Sequence, residues 1–156
     1  MELLGEGTLV KGTVLAVCIS EDKGEKKHDI QQGYFAREQG LVNDAHSGRW
    51  HRQVSLLGIE SINKMRARGI ELNPGDFAEN LTIEGIELFS LPVGTRLKVG
   101  DGVLLEVTQI GKQCHKGCAI RTQVGDCVMP REGIFARVLR DGSIKSGDTI
   151  EVIKSV

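Results

Sequence analysis

The frequent occurrence of glycine at turn-like positions is the sequence feature that most limits how this chain can fold. Gly-Asp pairs divide its second half into short segments, and they stand at Gly75-Asp76, Gly100-Asp101, Gly125-Asp126 and Gly147-Asp148. Such pairs are typical of tight turns, because glycine tolerates a positive φ and aspartate bonds to nearby backbone. With 20 Gly and only 3 Pro in 156 residues, the chain turns often and has no proline-rich linker. We therefore expect a single domain, residues 1–156, built from many short elements.

Segments rich in β-branched and apolar residues predict strands between these turns. The predicted strands are Gly12 to Ile19, Gln53 to Leu57, Leu81 to Ile83, Arg96 to Val99, Val103 to Thr108, Phe135 to Leu139 and Thr149 to Ile153. Ile59, Ile62 and Met65 recur at helical spacing and predict a helix from Gly58 to Arg68, with Gly69 as its C′ residue. Many short strands with one or a few short helices predict a mostly β fold. We expect a closed or nearly closed twisted barrel, because closure removes exposed strand edges.

Charge and hydropathy argue against two classes of partner. The chain has 20 Lys+Arg and 21 Asp+Glu, a formal net charge of -1, which does not suit a nucleic-acid or acidic-membrane binder. Its longest apolar run is Val14 to Ile19, far shorter than the roughly 18 residues that cross a bilayer. Glu2 and Glu6 stand where a secretory signal carries positive charge. We expect a cytoplasmic protein that binds neither nucleic acid nor membrane.

The polar stretch Ser20 to Asp29 carries Lys23, Lys26 and Lys27 around Gly24. A run of charges like this is typical of a solvated hairpin tip. We therefore predict that it is exposed to solvent.

The densest group of reactive residue types surrounds Cys114. Its neighbours are Lys112, His115 and Lys116, and Cys118 follows. Positive charge favours the thiolate, which is the nucleophilic and metal-ligating form of cysteine. Cys114 is therefore the candidate reactive thiol, and a cysteine packed in the barrel wall is the competing interpretation.

The same residues also suggest a zinc site, because sulfur and imidazole are zinc ligands. The candidate ligands would be Cys114, His115, Cys118 and Cys127. Their spacing lacks the paired C-x2-C knuckles of common structural sites, so we expect no zinc.

A second group of polar residues lies in the loop Gly40 to Gln53, which glycines flank and interrupt. It contains Asp44, His46, Arg49 and Arg52. Small residues allow close approach and arginine holds phosphate with two hydrogen bonds, which predicts an anionic ligand. The competing interpretation is that these polar groups only form hydrogen bonds within the loop and to the following strand. We predict that this loop and the segment 112–118 form one pocket at a barrel mouth.

Four separated segments resemble the MOSC family, domains related to the C-terminal part of molybdenum cofactor sulfurase. The segments are GLVNDAHSGRWHRQVSLL (Gly40 to Leu57), PGDFAENLTIEG (Pro74 to Gly85), VGTRLKVGDGVLLEVTQIGKQCHKGC (Val93 to Cys118) and GIFARVLRDGSIKSGDTIEV (Gly133 to Val152). They occur in the family's order, and Cys114 fills the family's cysteine position. The resemblance implies a barrel similar to that of the MOSC and pyruvate kinase barrel domains.

The resemblance also implies that Cys114 carries sulfane sulfur or ligates molybdenum directly. Cys114 is the only metal ligand that the resemblance implies. The implied cofactor is the molybdenum cofactor, molybdopterin, held transiently or stably. His46, Arg49 and Arg52 fall in the family's glycine-acid-histidine-arginine motif, and Asn80 falls in its G-D-F-x-E-N-L motif. The expected cofactor-binding residues are His46, Arg49, Arg52, Asn80, Lys112, His115 and Lys116.

Two functions follow from the resemblance. The first is a sulfur carrier or sulfurtransferase, which takes sulfur from a cysteine desulfurase and delivers it to a molybdoenzyme or a cofactor-biosynthesis protein. The second is a molybdenum cofactor-binding protein or reductase that acts on N-hydroxylated compounds. The chain lacks the pyridoxal-phosphate domain of the large sulfurases and the extra N-terminal β domain of the amidoxime-reducing relatives. It looks like a short stand-alone member, and whether it is an enzyme stays open.

Overall fold

A computed structural model of the chain describes residues 10–23, 25–111 and 132–153. In chain order the elements of these ranges are β1 (Lys11–Ile19), β2 (His28–Asp29), β3 (Gln32–Ala36), β4 (Gly40–Leu41), β5 (Val54–Gly58), α1 (Ile59–Arg66), β6 (Leu81–Glu84), a 3-10 turn (Leu88–Ser90), β7 (Arg96–Val99), β8 (Val103–Ile110), β9 (Ile134–Arg140), β10 (Gly142–Lys145) and β11 (Thr149–Ile153).

Seven of these strands form a closed barrel. Their hydrogen-bonded order is β11-β7-β8-β9-β5-β6-β1, and β1 also pairs with β11. The pair β5–β6 is parallel, with α1 in its crossover connection, and the other barrel pairs are antiparallel. The short strands β10, β3 and β4 form a separate three-stranded sheet. The predicted mostly β barrel is confirmed.

The barrel interior holds the main core, because alternate residues of each strand point inward. The eight residues of β8 show the pattern, with Val103, Leu105 and Val107 buried and their neighbours partly exposed. A second apolar cluster holds α1 against the barrel wall and consists of Leu57, Ile62, Met65, Leu72, Phe77 and Phe135. None of the helices in the described ranges is long and apolar enough to cross a membrane.

The predicted strands lie within a few residues of the observed ones, and β7 and β11 have the predicted bounds. Four short strands were not predicted: β2, β3, β4 and β10. Two of them have only two residues, and the other two carry glycine and polar residues that are typical of turns. The helix ends at Arg66 with Ala67 as its C-cap, so Gly69, predicted as the C′ residue, lies further out at a φ of 90°.

Gly75 belongs to one of the predicted Gly-Asp turns and sets the position of a neighbouring connection. Its φ is 92°, and its carbonyl accepts a 2.8 Å hydrogen bond from the backbone N–H of Lys27. A Cβ at this position would lie 2.3 Å from the Lys27 carbonyl oxygen. Glycine is therefore required here both by the backbone angle and by the close approach.

Candidate functional site

The loop between β4 and β5 is a compact unit closed at its base. Gly40 has a φ of 97°, and a Cβ there would lie 2.4 Å from the carbonyl oxygen of Gln53. Backbone hydrogen bonds hold the loop further in, from Ala45 to the carbonyl of Ser20 at 2.9 Å and from Gly48 to that of Gln39 at 2.8 Å. The glycine-flanked segment of the sequence is thus a folded loop that packs on the chain after β1.

A buried ion pair stands at the centre of this packing. Lys27 Nζ lies 2.8 Å from Asp44 Oδ1, and neither side chain has exposed surface. Lys27 also donates to Ser20 Oγ at 3.0 Å, and Ser20 N donates to Asp44 Oδ1 at 3.1 Å. The prediction that the charged stretch from Ser20 to Asp29 is simply a wet hairpin tip is therefore wrong for Lys27, because this lysine turns inward to neutralise a buried carboxylate.

Electrostatics at Asp44 favour its ionised form. Burial alone would raise the pKa of this carboxyl, but its interactions with the His46 and Lys27 side chains and the charge of Lys27 hold the pKa well below its usual range. The His46 backbone N–H also donates a hydrogen bond to Asp44 Oδ2, at 3.0 Å. Asp44 is therefore a buried carboxylate that organises the loop.

His46 and Trp50 form an aromatic pair on the outer side of the ion pair. Their rings are parallel within 4° with centroids 6.4 Å apart, and Trp50 Nε1 donates to the His46 carbonyl at 2.8 Å. Lys23 Nζ lies 4.7 Å from the centre of the Trp50 ring, within cation–π range. The loop thus presents flat aromatic surface beside positive charge.

Arg52 connects this loop to the end of β8. Its Nε donates to Gln109 Oε1 at 3.1 Å, and its guanidinium carbon lies 6.0 Å from the Trp50 ring centre and 5.3 Å from that of Phe135. His51 Nε2 lies 2.8 Å from the same Gln109 oxygen. Two residues of the loop therefore meet on one strand residue, five positions before Cys114 in the sequence.

Arg49 has a different environment from Arg52. Its side chain is 84% exposed and pairs with Glu38 at 3.1 Å. It borders an open groove of about 750 Å³, which Trp50, His51 and Arg137 also line. Of the two expected anion-binding arginines, Arg52 therefore lies near aromatic rings and Arg49 lies at the surface.

Asn80 is fully buried, and its polar atoms bond to protein. Its Oδ1 accepts from Ser55 N at 2.9 Å, and its Nδ2 donates to the Cys18 carbonyl at 3.1 Å. This geometry ties β5 to β1, so Asn80 acts here as a structural bridge. Its expected contact with a cofactor gains no support from these bonds.

Cys18 is the one cysteine within the described residues, and it is buried in the free form. Burial, with the nearby carboxylate of Glu79, raises the pKa of its thiol far above the ordinary value. The expected site residues Lys112, Cys114, His115 and Lys116 lie outside the described residues, as do Cys118 and Cys127. The predicted common pocket of the two loops therefore stays a prediction.

The structure also identifies residues that the sequence analysis did not single out. Trp50 contacts Arg52 and His46, Gln109 contacts Arg52 and His51, and Lys27 contacts His46. Gln109 had one signal, a polar side chain near the end of a strand whose buried residues are apolar. In the described ranges no group of three or more His, Cys, Asp or Glu side chains is placed to hold a metal ion.

Comparison with known proteins places this fold in a family. A family model described as the MOSC domain matches residues 43–151, more than half of the chain. Comparison with curated proteins gives no match. Among solved structures, the YuaD protein from Bacillus subtilis has a TM-score of 0.78 at 20% identity, over 93% of this chain and 97% of that one.

Two further structures are YiiM proteins. YiiM from Geobacillus stearothermophilus has a TM-score of 0.68 at 18% identity, over 92% of this chain and 75% of its own. YiiM from Escherichia coli has a TM-score of 0.67 at 17% identity, over 94% and 71% respectively. At these identities the likeness concerns the fold, and the family rests on the matched domain. The chain belongs to the MOSC domain family, whose functions are associated with the molybdenum cofactor.

Proposed function

We propose that this chain is a cytoplasmic sulfur carrier, in which Cys114 accepts sulfane sulfur from the persulfide of a cysteine desulfurase and passes it toward a molybdenum cofactor or metal-sulfur centre. The observation that carries the proposal is the contact of Arg52 with Gln109, at 3.1 Å. It joins the cationic loop to the strand that runs into the cysteine segment. The proposal requires an anion site and a reactive thiol at one end of the barrel, and this contact supports that requirement.

Chain length supports this juxtaposition. Gln109 Nε2 donates to the Gly111 carbonyl at 2.7 Å, so the side chain that meets Arg52 also contacts the chain just after β8. Cys114 is three residues further along the sequence. Three residues of fully extended chain span about 11 Å. That distance is comparable with the length of a pterin that carries a phosphate.

The residues of the loop fit a planar anionic group. Arginine has five N–H donors, and the contact with Gln109 uses the Nε of Arg52. The Trp50 ring beside this guanidinium offers stacking surface, and Arg49 adds exposed positive charge nearby. Arg52, His46 and Arg49 would hold a molybdopterin, which when bound supplies the metal centre that accepts sulfur.

The proposed transfer needs no outside oxidant or reductant for loading. The Cys114 thiolate attacks the outer sulfur of the donor persulfide, the donor S–S bond breaks, and the donor cysteine leaves as a thiolate. A new S–S bond forms on Cys114, and the proton of the outer sulfur travels with it. A second thiol then attacks Cys114 Sγ and forms a disulfide with it, and the outer sulfur leaves as sulfide. Formation of this disulfide supplies the two electrons that reduce the outer sulfur.

The second candidate function is stable binding of the molybdenum cofactor, either for storage or for reduction of N-hydroxylated compounds with Cys114 as a metal ligand. The observation that favours it is the proximity of the Arg52 guanidinium to the rings of both Trp50 and Phe135. A cation held by packing loses less freedom on binding a ligand, which favours a long residence time.

Sulfur loading tests the proposed function directly. We expect the full chain, incubated with a cysteine desulfurase and cysteine, to gain one sulfur atom on the Cys114 peptide in mass spectrometry. Cys18→Ser is the matched control and should load like the parent, because Cys18 is buried. Loading that persists in Cys114→Ser would contradict the proposal. Stoichiometric molybdenum and pterin without loading would favour the second function.

A further inference from the structure

The contact between Lys27 and His46 determines which nitrogen of the imidazole ring accepts a hydrogen bond. Lys27 Nζ lies 3.0 Å from His46 Nδ1, with its other two hydrogen bonds on Ser20 and Asp44. An ammonium group has three N–H donors and no acceptor. All three donors therefore have a partner, and His46 Nδ1 is the acceptor in its contact.

Competing assignments for the Nδ1 atom are weaker. The nearest carboxylate oxygen, Asp44 Oδ2, is 3.8 Å away, which is too long for a hydrogen bond, and it already accepts from the His46 backbone N–H. A proton on Nδ1 would point at the Lys27 ammonium 3.0 Å away. The geometry therefore favours the tautomer that carries its proton on Nε2.

We propose that Lys27 is a positioning residue that fixes His46 as the Nε2–H tautomer, so that His46 meets an oxyanion such as a phosphate group as a hydrogen-bond donor. Nε2 lies across the ring from Nδ1, and the His46 side chain is 20% exposed while Lys27 and Asp44 are fully covered. The location of the ligand rests on the proposed function. The tautomer rests on the geometry of Lys27 alone.

The proposed donor role excludes two other roles for the Nδ1 atom of His46. With Nδ1 occupied by Lys27, that nitrogen is neither a metal ligand nor a proton acceptor for a substrate. With the proton on Nε2, that nitrogen is a hydrogen-bond donor. Arg52 beside the Trp50 ring then supplies the charge, and His46 supplies a directed N–H at fixed orientation.

Nitrogen-15 NMR of the histidine side chains in the full chain tests the proposal. We expect the parent protein to have its His46 proton on Nε2. In Lys27→Met, which keeps most of the stem and removes the ammonium, we expect a mixture of tautomers. Lys27→Arg should restore the parent spectrum, because the guanidinium also only donates. Lys26→Met, at the exposed neighbour, is the matched control and should leave the spectrum unchanged.

Titration with inorganic phosphate tests the donor role. We expect a saturable shift of the His46 Nε2 resonance, and about tenfold weaker phosphate binding in Lys27→Met, the effect of one charge-assisted hydrogen bond. A His46 proton on Nδ1 in the parent protein would overturn the proposal, and this measurement needs no variant to fold. An unchanged tautomer in a folded Lys27→Met, or no response of Nε2 to phosphate, would also overturn it. Failure of Cys114 to load sulfur would refute the proposed function while leaving the tautomer result intact.

Discussion

The ammonium group of Lys27 and the carboxylate of Asp44 lie 2.8 Å apart with no exposed side-chain surface, although 17 residues separate them in the sequence. Removing one member of such a pair leaves an uncompensated buried charge, which typically costs about 3–5 kcal/mol. We therefore expect Asp44→Ala to lower the free energy of unfolding by about that amount, measured by urea denaturation. Asp22→Ala, at an exposed acid of the same connection, should change it by less than about 1 kcal/mol.

The same pair predicts an acid-sensitive stability. Because the pKa of Asp44 is lowered in the folded state, its contribution to stability is present above the pKa of the unfolded chain, about 3.9. That contribution is lost as the pH falls through the lower folded value. Denaturation curves between about pH 7 and pH 2 should show this loss in the parent and a flatter profile in Asp44→Asn. Equal slopes in the two proteins would contradict the assignment.

Glu79 predicts the opposite dependence on pH. Its Oε2 accepts from Gly75 N and Thr82 Oγ1, but its buried Oε1 has no partner among the residues that the structure describes. Burial raises the pKa of this carboxyl above 4.5, so the folded state favours the protonated form, and stability falls as the pH rises from about 4.5 through the folded value. Glu79→Gln, which cannot ionise, should be more stable than the parent at about pH 8, with a smaller difference at about pH 5. Glu71→Gln, at an exposed residue, should show no such change of difference.

The two loop arginines should respond differently to truncation. Arg52→Ala removes a hydrogen bond to Gln109 and contacts with two rings, so we expect about tenfold weaker phosphate binding and a measurable loss of stability. Arg49→Ala removes an exposed ion pair and should change stability by less than about 1 kcal/mol. Phosphate titration calorimetry and thermal unfolding of both variants measure this contrast. A stability loss in Arg49→Ala as large as that in Arg52→Ala would contradict it.

The cysteines should separate by reactivity. Cys18 is buried with a raised pKa of its thiol, whereas Cys114 has three cationic neighbours in the sequence and should titrate below the roughly 8.5 of a free cysteine. Alkylation of the native protein at a series of pH values, followed by peptide mapping, should modify Cys114 first and spare Cys18. Equal labelling of the two thiols, or a Cys114 midpoint at or above the free value, would count against an activated Cys114.

Sequence patterns predicted the barrel because its strands carry their own signal. The apolar alternation of β8 and the turns after β7 and β10 are local features, and local features are readable from one chain. Lys27 illustrates the limit. Its neighbours Lys23 and Lys26 make it look like part of a solvated run, and only the fold brings it to Asp44. Gln109 likewise gains its meaning from two partners more than fifty residues away.

The short approach of Gly75 to Lys27 also had no local signal beyond a turn. The glycine was predicted from its aspartate neighbour, but its contact with the Lys27 carbonyl depends on two connections that meet on one side of β1. Asn80 was assigned from family resemblance, and its bonds to Ser55 and Cys18 come from strand order. Where tertiary contacts decide a side chain's partners, the sequence alone names the residue without its role.

The ion pair of Lys27 and Asp44 makes two separate segments of the chain depend on each other. Lys27 comes from the connection after β1 and Asp44 from the loop before β5. A chimera that received only one stretch from a relative without the pair would place a lone charge in the interior. A chimera that received both would keep the charges matched. Transplanting binding specificity between barrels of this kind therefore requires exchange of the two stretches together, and their substitutions should be tolerated in pairs.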